Sequence, residues 1–425
     1  MKTSRRNLLL GSLGGVLATG ALRHLAFAKD DSDSKDILVV VFLRGGCDGL
    51  NFLAPVDDPH YLAARGSDTR VSEKGADRGI GLARASSDFD FRLHPKGAPL
   101  KELYDQRELA FIHAAGLTHA TRSHFDAQSL IERGGSKEDS NTPKSGWLTR
   151  YLLGADLAGL LPVVASTETM PESLHEYKNA CCISELGQFA FEGHWKYGDA
   201  QKKILQKAYE GNSILSLSGS RALYTLDAVS KHQKRDGDGN TIPYQPRKGV
   251  KYPTEEDNCE ELCNSLQTIA SLIKMNLGLR VGLVDFDGWD THQGQGYHFP
   301  IQINALSKAL HAFYSDLSDF KERLTIVVMT EFGRRLRQNH SWGTDHGHGS
   351  LMILLGANVN GGKLYGKWPG LATEQLDQGV DLRVTTDYRT VLGEVLSNRM
   401  QATTLDSIFP NFPDLALNLV RKRTT

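Results

Sequence analysis

The chain has 425 residues, with 49 basic and 50 acidic side chains and a formal net charge of -1. A chain of this length can bury a sizeable core without disulfides or structural metals. The balanced charge argues against nucleic acid or an anionic membrane surface as a partner, and it favours a small molecule or another protein.

Residues 1–28 have the pattern of a twin-arginine export signal. The segment SRRNLLL places Arg5 and Arg6 before a short apolar stretch, and AFA at 26–28 offers small residues for cleavage. The stretch is too short and too rich in glycine to favour the alternatives, an ordinary secretory peptide or a membrane anchor. We therefore expect the twin-arginine machinery to export the protein to the periplasm or the medium, without a stable membrane anchor.

Continuous apolar runs closed by glycines predict buried strands, and apolar residues at helical spacing predict amphipathic helices. The predicted strands lie at 36–46, 109–116, 161–167, 280–288, 324–333 and 350–358, and the clearest helices at 258–277 and 301–320. Strands that alternate with helices are typical of an α/β sandwich around a mostly parallel sheet.

The mature chain, 29–425, is predicted to be one domain with a polar insertion near 230–258. DGDGN in this insertion resembles a calcium loop, but Arg247 stands where the loop needs a glutamate, so we reject that interpretation. The cysteines are odd in number, and buried thiols are favoured over a bridge or a ligand pair; they are Cys47, Cys181, Cys182, Cys259 and Cys263.

Acidic and imidazole side chains gather beside the predicted strand ends, which is where open α/β sheets bind ligands. The clusters are LRGGCDGLN, TRSHFDAQ, DGWDTHQGQG, TEFGRR and GTDHGHG. Three of them have a structural alternative: Asp48 could cap a turn, Asp290 and His292 could be a loop pair, and Glu331 with Arg334 could be a local ion pair. The two imidazoles and the carboxylate of GTDHGHG have little structural purpose and favour a metal. Carboxylates brought this close together would repel one another unless a cation neutralised them.

The mixed set of Asp, Glu and His predicts a site for one or two divalent ions. Zinc or manganese suits it best, and calcium or magnesium is the alternative for its carboxylate-rich side. Two ions would hold both the attacking and the leaving oxygen of a displacement.

In combination and in this order, these motifs, with GWLTRYL and DLRVTTDYRTVLGEVL, resemble the DUF1501 family of exported bacterial proteins. The family looks related to the alkaline phosphatase and sulfatase superfamily. The resemblance implies an alkaline phosphatase-like fold, a three-layer αβα sandwich with a mostly parallel central sheet, and a metal site with one or two ions.

The resemblance also implies ligand roles, although Asp290 and His292 are more closely spaced than usual. The implied ligands are Asp48, Asp290, His292, Glu331, Asp345, His346 and His348.

The nucleophile departs from the superfamily pattern, since the sulfatase Cys-x-Pro-x-Arg motif is absent. Ser123 is the candidate and Thr121 the runner-up, with a metal-activated water as the alternative. His124 would be a ligand or proton donor, and Arg122 or Arg334 would hold an anionic oxygen. The structural alternative makes Ser123 a helix cap.

Two functions follow. The first is an exported metal-dependent hydrolase of phosphate or sulfate esters, acting on a small anionic ester or a polysaccharide. The second is an exported binding or assembly protein with a vestigial or structural metal site. A redox enzyme ranks last, because neither a GxGxxG motif after a strand nor a cysteine framework is present.

Overall fold

The computed structural model describes most of the chain from residue 35 to residue 423. The described residues are 35–75, 78–82, 89–136, 143–155, 157, 159–191, 193–194, 196–237, 241–254, 259–413 and 415–423. The predicted export signal at 1–28 lies outside them. No helix of the described residues has both the length and the apolar character needed to cross a membrane.

The strands follow the apolar runs of the sequence. They are β1 (Ile37–Leu43), β2 (Leu53–Pro55), β3 (Ile80–Gly81), β4 (Phe91–Leu93), β5 (Leu109–Gly116), β6 (Val163–Ser166), β7 (Ala180–Cys182), β8 (Val281–Phe286), β9 (Leu324–Thr330), β10 (Ser350–Leu355), β11 (Lys363–Tyr365) and β12 (Thr386–Asp387). All six predicted strands are confirmed.

The helices include both of the predicted ones, which become α8 and α9. They are α1 (Gly49–Phe52), α2 (Pro59–Ala64), α3 (Ala98–Asp105), α4 (His124–Glu132), α5 (Trp147–Gly154), α6 (Gly198–Ala208), α7 (Ile214–His232), α8 (Glu260–Lys274), α9 (Gln295–Asp316) and α10 (Tyr388–Asn398). Short 3₁₀ helices lie at Pro95–Gly97, Glu172–Leu174, Leu186–Gln188 and Ser318–Arg323.

Within the described residues, a nine-stranded sheet runs in the order β11-β5-β10-β9-β1-β8-β6-β7, and β12 pairs with β5. Strand β10 is antiparallel to its neighbours β5 and β9, and the other pairings of this sheet are parallel. The carboxyl ends of β1, β5, β8 and β9 therefore meet at one edge. The antiparallel β10 begins at that same edge, so the residues just before it arrive there too.

Two apolar cores cover the two faces of the sheet, because side chains alternate along each strand. In β1, Val39 and Val41 enter one core together with residues of α3, α8 and α9. Val40 and Phe42 enter the other with residues of α4, α5 and α10. The result is the expected three-layer α/β arrangement around a mostly parallel sheet.

The polar insertion is anchored to the end of α9. The buried Asp316 carboxylate accepts hydrogen bonds from the hydroxyls of Tyr244 (2.5 Å) and Tyr252 (3.2 Å) and from the Arg247 backbone nitrogen (2.6 Å). In the cysteine set, Cys47, Cys259 and Cys263 are buried, and Cys181 and Cys182 are partly exposed.

Candidate metal centre

The strand edge brings side chains from three loops to one point. His124 opens α4 after β5, and Asp290 and His292 follow β8. His346 precedes β10. Close backbone approach makes this possible: Gly45, at the end of β1, has φ +115°, and a Cβ there would lie 2.5 Å from the Asp290 nitrogen.

Three imidazole Nε2 atoms and one carboxylate converge here. The His346 Nε2 lies 2.9 Å from that of His124 and 2.8 Å from that of His292. The Asp290 Oδ1 lies 3.2 Å from the Nε2 atoms of both His292 and His346. Ligand atoms of His124, Asp290 and His346 all fall within 4.8 Å of one another. We call these four side chains the metal cluster.

The other nitrogen of each ring fixes its tautomer. The Nδ1 of His346 lies 2.8 Å from the Arg122 carbonyl oxygen, so it must carry a hydrogen and donate it. The Nδ1 of His124 faces Glu331 Oε1 at 2.8 Å, and the Nδ1 of His292 faces Asp345 Oδ1 at 3.1 Å. In the neutral rings, all three Nε2 atoms therefore present lone pairs to the same point.

In the neutral rings, no hydrogen lies between the Nε2 atom of His346 and those of His124 and His292, so these short contacts are not hydrogen bonds. Burial, with the charge of Arg334 adding to it, lowers the pKa of His346, so this central ring is neutral at pH 7. A proton on the Nε2 atom of His124 or of His292 would turn only one of the two Nε2 contacts of His346 into a hydrogen bond. A divalent cation accepts lone pairs from all four groups, and three imidazoles with one carboxylate fit such an ion.

The carboxylates around the cluster are held ionised. Burial acts to raise the pKa of Asp290, but the hydrogen bond and charge of Arg334 outweigh it, and the pKa lies below its ordinary value. Burial likewise opposes the ionisation of Glu331, but donors including His124 and Gln128 hold its pKa down. The hydrogen bond from Asn339 lowers the pKa of Asp345.

Glu331 and Asp345 stand behind the histidines, whereas the sequence predicts them as ligands. The fully buried Glu331 Oε1 accepts from the Gly45 nitrogen (2.8 Å) and Gln128 Nε2 (2.9 Å) as well as from His124. Carboxylates placed in this way orient histidine ligands and strengthen them as bases.

Asp48 does not join the metal cluster. Its buried carboxylate pairs with Arg65 at 2.5 Å, accepts from Gln295 Nε2 at 2.6 Å, and caps α1 through the Leu50 and Asn51 nitrogens. Its lone pairs are thus already engaged, which corrects the expectation of a ligand on the first strand.

His348 also lies apart from the metal cluster. Its Nδ1 contacts Asp377 Oδ2 at 3.1 Å, and its Nε2 contacts the Leu117 carbonyl oxygen at 2.9 Å. With both ring nitrogens engaged, this buried side chain offers no lone pair to a metal ion in this arrangement.

The candidate catalytic residues Ser123 and Arg334 differ in how firmly hydrogen bonds hold their side chains. Ser123 caps α4 through a long 3.4 Å contact from the Asp126 nitrogen. Arg334 is fully buried and donates to the carbonyls of Gly46 (2.7 Å) and Thr344 (2.8 Å), among others, and to Asp290 Oδ1 (2.5 Å). Arg334 therefore holds the loops and Asp290 in place and does not face solvent.

Sequence reasoning missed the polar supports of the metal cluster. The Asn339 amide donates to both the His292 carbonyl and Asp345 Oδ1 at 2.9 Å. Arg122 contributes through its backbone oxygen, which no residue pattern reveals. Asn339 lies six residues before Asp345, and this closeness to the GTDHGHG motif is the sequence signal that points to Asn339.

The metal cluster is open to solvent on one side. The side chain of Asp290 is 48% exposed, and that of His292 is 39% exposed. A closed structural site would leave its ligands buried, so an ion held here would be accessible to small molecules.

Comparisons with solved structures return enzymes at low similarity. A phosphonate monoester hydrolase from Silicibacter pomeroyi is 8% identical over 89% of this chain and 78% of its own, with a TM-score of 0.38. A sulfatase from Pseudoalteromonas sp. is 10% identical over 81% and 67%, with a TM-score of 0.36. An alkaline phosphatase from the Antarctic bacterium TAB5 is 11% identical over 76% and 92%, with a TM-score of 0.33.

These TM-scores lie below 0.5, so the likenesses carry no argument about what this chain does. No curated protein matches the chain. A family model, described as a protein of unknown function (DUF1501), matches residues 112–407, which is more than half of the chain. The segment includes all four side chains of the metal cluster, and the chain belongs to the DUF1501 family.

Proposed function

We propose that this protein is an exported metal-dependent hydrolase of phosphate or sulfate esters. One observation carries the proposal: three imidazole Nε2 atoms, none of them holding a proton in the neutral rings, converge with the Asp290 carboxylate at a solvent-open point. Such a set would be unfavourable without a cation, and its openness suits catalysis better than structural support.

The proposed centre holds one ion, zinc or manganese, through His124, His292, His346 and Asp290. Nitrogen-rich ligand sets with one carboxylate favour these ions over calcium and magnesium, which prefer oxygen alone. When bound, the ion would supply Lewis acidity toward an ester oxygen and toward water.

The protein's own side chains would position the reacting groups. Ser123 stands directly before His124 at the N-terminus of α4, and its contact to the Asp126 nitrogen at 3.4 Å leaves the hydroxyl hydrogen uncommitted. Ser123 is the proposed nucleophile, with Thr121 or water as the alternative.

An anionic ester also needs positive charge beside the ion. Arg334 is enclosed, whereas the side chain of Arg122 is 26% exposed and held by the buried Asp381. We therefore assign the binding of an ester oxygen to Arg122, and we assign Arg334 to holding Asp290.

A second candidate is a binding or assembly protein with a vestigial or structural metal site. The hydrogen bond from Arg334 to Asp290 Oδ1 favours a vestigial site, because that bond engages a carboxylate oxygen that a metal ion would otherwise use. The long Ser123 contact and the exposure of the metal cluster favour the hydrolase.

The test combines metal analysis with substrate screening. Purified full-length protein is assayed for zinc and manganese and for release of phosphate or sulfate from a panel of esters. Ser123→Ala and Thr121→Ala are compared under the same conditions. The hydrolase predicts turnover in metal-loaded protein. Loss of turnover in one of the two variants would assign the nucleophile to that residue, and turnover in both would assign it to water. Stoichiometric metal without turnover of any ester would support the binding protein instead.

A further inference from the structure

Two exposed aromatic rings lie on the segments that carry the metal ligands. The side chain of Trp342 is 64% exposed, and that of Tyr297 is 71% exposed. Trp342 also has φ +56°, a left-handed conformation that is uncommon for residues other than glycine. The exposed rings do not pack in the core. The left-handed backbone conformation of Trp342 lowers the stability of the fold.

Hydrogen bonds of Asn339 join the turn that carries Trp342 to the His292 segment of the metal cluster. The Asn339 side-chain oxygen accepts from the nitrogens of Ser341 (2.9 Å) and Gly343 (3.1 Å), while its amide donates to the His292 carbonyl (2.9 Å). A Cβ on Gly343 would lie 2.3 Å from the His292 backbone, so the residue after Trp342 packs directly on a ligand's main chain.

Tyr297 reaches the same place from the first turn of α9. The Gly294 nitrogen donates to the Ser341 carbonyl at 3.0 Å, and the Gln295 nitrogen donates to the Trp342 carbonyl at 2.9 Å. These two bonds join the segment after His292 to the aromatic turn. Main-chain contacts therefore hold the two segments that carry these rings together next to His292, and both residues are exposed outside the core.

We propose that Tyr297 and Trp342 form an aromatic subsite that binds a sugar ring, so that the substrate is a phosphate or sulfate ester of an oligosaccharide. The inference rests on the proposed hydrolase function and names its substrate class. A sugar ring has an apolar face that packs on an aromatic ring and hydroxyls at its edge that need polar partners. The exposed neighbours His298, His340 and Ser341 supply such partners.

The openness of the site favours the same substrate. Sites for small molecules are usually concave and bury most of the ligand, whereas Asp290 and His292 lie at an open surface beside exposed rings. A long substrate gains affinity from contacts beyond the reacting group, and such contacts need an extended surface next to the ion.

Binding is measured first, without turnover, by tryptophan fluorescence of metal-loaded full-length protein. The probes are sulfated and phosphorylated hexasaccharides, the same hexasaccharides without esters, and ethyl phosphate and ethyl sulfate. Trp342→Ala and Tyr297→Ala should each weaken hexasaccharide ester binding by about tenfold, and by clearly more than they weaken ethyl ester binding. Trp342→Phe keeps a ring and should recover most of the loss. For the tryptophan variants, binding is followed by calorimetry.

The control is Tyr224→Ala, which removes another exposed aromatic ring, on α7; Tyr224 is 51% exposed. This variant should bind every probe as the wild type does. Equal losses for hexasaccharide and ethyl esters, or no loss for either, would overturn the aromatic subsite. A dimer that dissociates on Trp342→Ala in sedimentation analysis would also overturn it, because the rings would then serve contact between two copies.

The proposed function can fail separately. If the wild type binds hexasaccharide esters through Trp342 but hydrolyses none of them, the hydrolase is wrong and the subsite stands. If ethyl esters are hydrolysed and hexasaccharide esters are not bound, the hydrolase stands and the subsite is wrong.

Discussion

Replacing Glu331 with glutamine tests whether the carboxylate behind His124 tunes the metal cluster. The Oε1 atom of Glu331 accepts from Gly45, Gln128 and His124. The Oε2 atom lies 2.9 Å from the Thr330 hydroxyl, which can instead donate to the Leu43 carbonyl at 2.8 Å. Glutamine can place its carbonyl oxygen at the first position and its amide at the second. The substitution then keeps the three hydrogen bonds and removes only the negative charge.

We expect Glu331→Gln to lower metal affinity more than it lowers the free energy of unfolding. Losing a carboxylate behind a histidine ligand costs roughly 10- to 100-fold in metal affinity, which corresponds to about 1.4–2.8 kcal/mol. The charge removed here is fully buried, so water screens it weakly, and we expect the upper half of that range.

The assay is competition for zinc against a chromophoric chelator, beside chemical denaturation of the metal-free protein. Glu394→Gln is the control for zinc affinity, because Glu394 is also buried but accepts from the backbone nitrogens of Leu417 (2.8 Å), Leu419 (2.5 Å) and Val420 (3.2 Å), away from the metal cluster. This variant should lose stability, since an amide nitrogen cannot accept a hydrogen bond, and should keep wild-type zinc affinity. Wild-type zinc affinity in a folded Glu331→Gln protein would refute the role given to Glu331.

Three further predictions concern other parts of the fold. Asp48→Asn leaves the buried Arg65 without its counter-charge, so the free energy of unfolding should fall by about 3–5 kcal/mol in urea titrations while folded protein keeps its metal; a folded but metal-free variant would return Asp48 to the ligand set. Burial lowers the pKa of His113 from 6.5 to about 4, so the folded protein excludes a proton that the unfolded chain binds. The free energy of unfolding should therefore fall as the pH drops from 6.5 to 4. His113→Phe should reduce this pH dependence by about 1.4 kcal/mol per pH unit. The same substitution at the exposed His232 is the control and should leave the dependence unchanged. Ser123→Ala should lower stability by about 1 kcal/mol through the lost cap and abolish ester turnover without loss of metal; retained turnover would leave the nucleophile to Thr121 or water.

The strands and their edge could be predicted because the apolar runs of a buried sheet are continuous. Runs such as 109–116 and 324–333 leave little choice of structure once helices lie on both faces. The rule that ligands gather at the carboxyl ends of parallel strands then led to His124, Asp290 and His292. The imidazoles and carboxylate of GTDHGHG, just before a strand, led to His346.

The proposed ligand set could not be predicted in full, because a motif does not show which partner each side chain faces. Asp48 lies in a glycine-rich turn that suits a ligand, but Arg65, seventeen residues later, occupies its carboxylate. His346 and His348 are two residues apart, yet the chain bends at His348 and its ring meets Asp377 and the Leu117 carbonyl. Tautomers depend on such partners, which only the fold brings together.

Metal content of the full-length protein tests the central claim most directly. Elemental mass spectrometry on wild type and His346→Ala, purified alike without chelators, should give close to one zinc or manganese per folded wild-type chain and none in the variant. Well-folded wild-type protein that takes up neither ion, even after incubation with each, would contradict the metal centre and the hydrolase built on it.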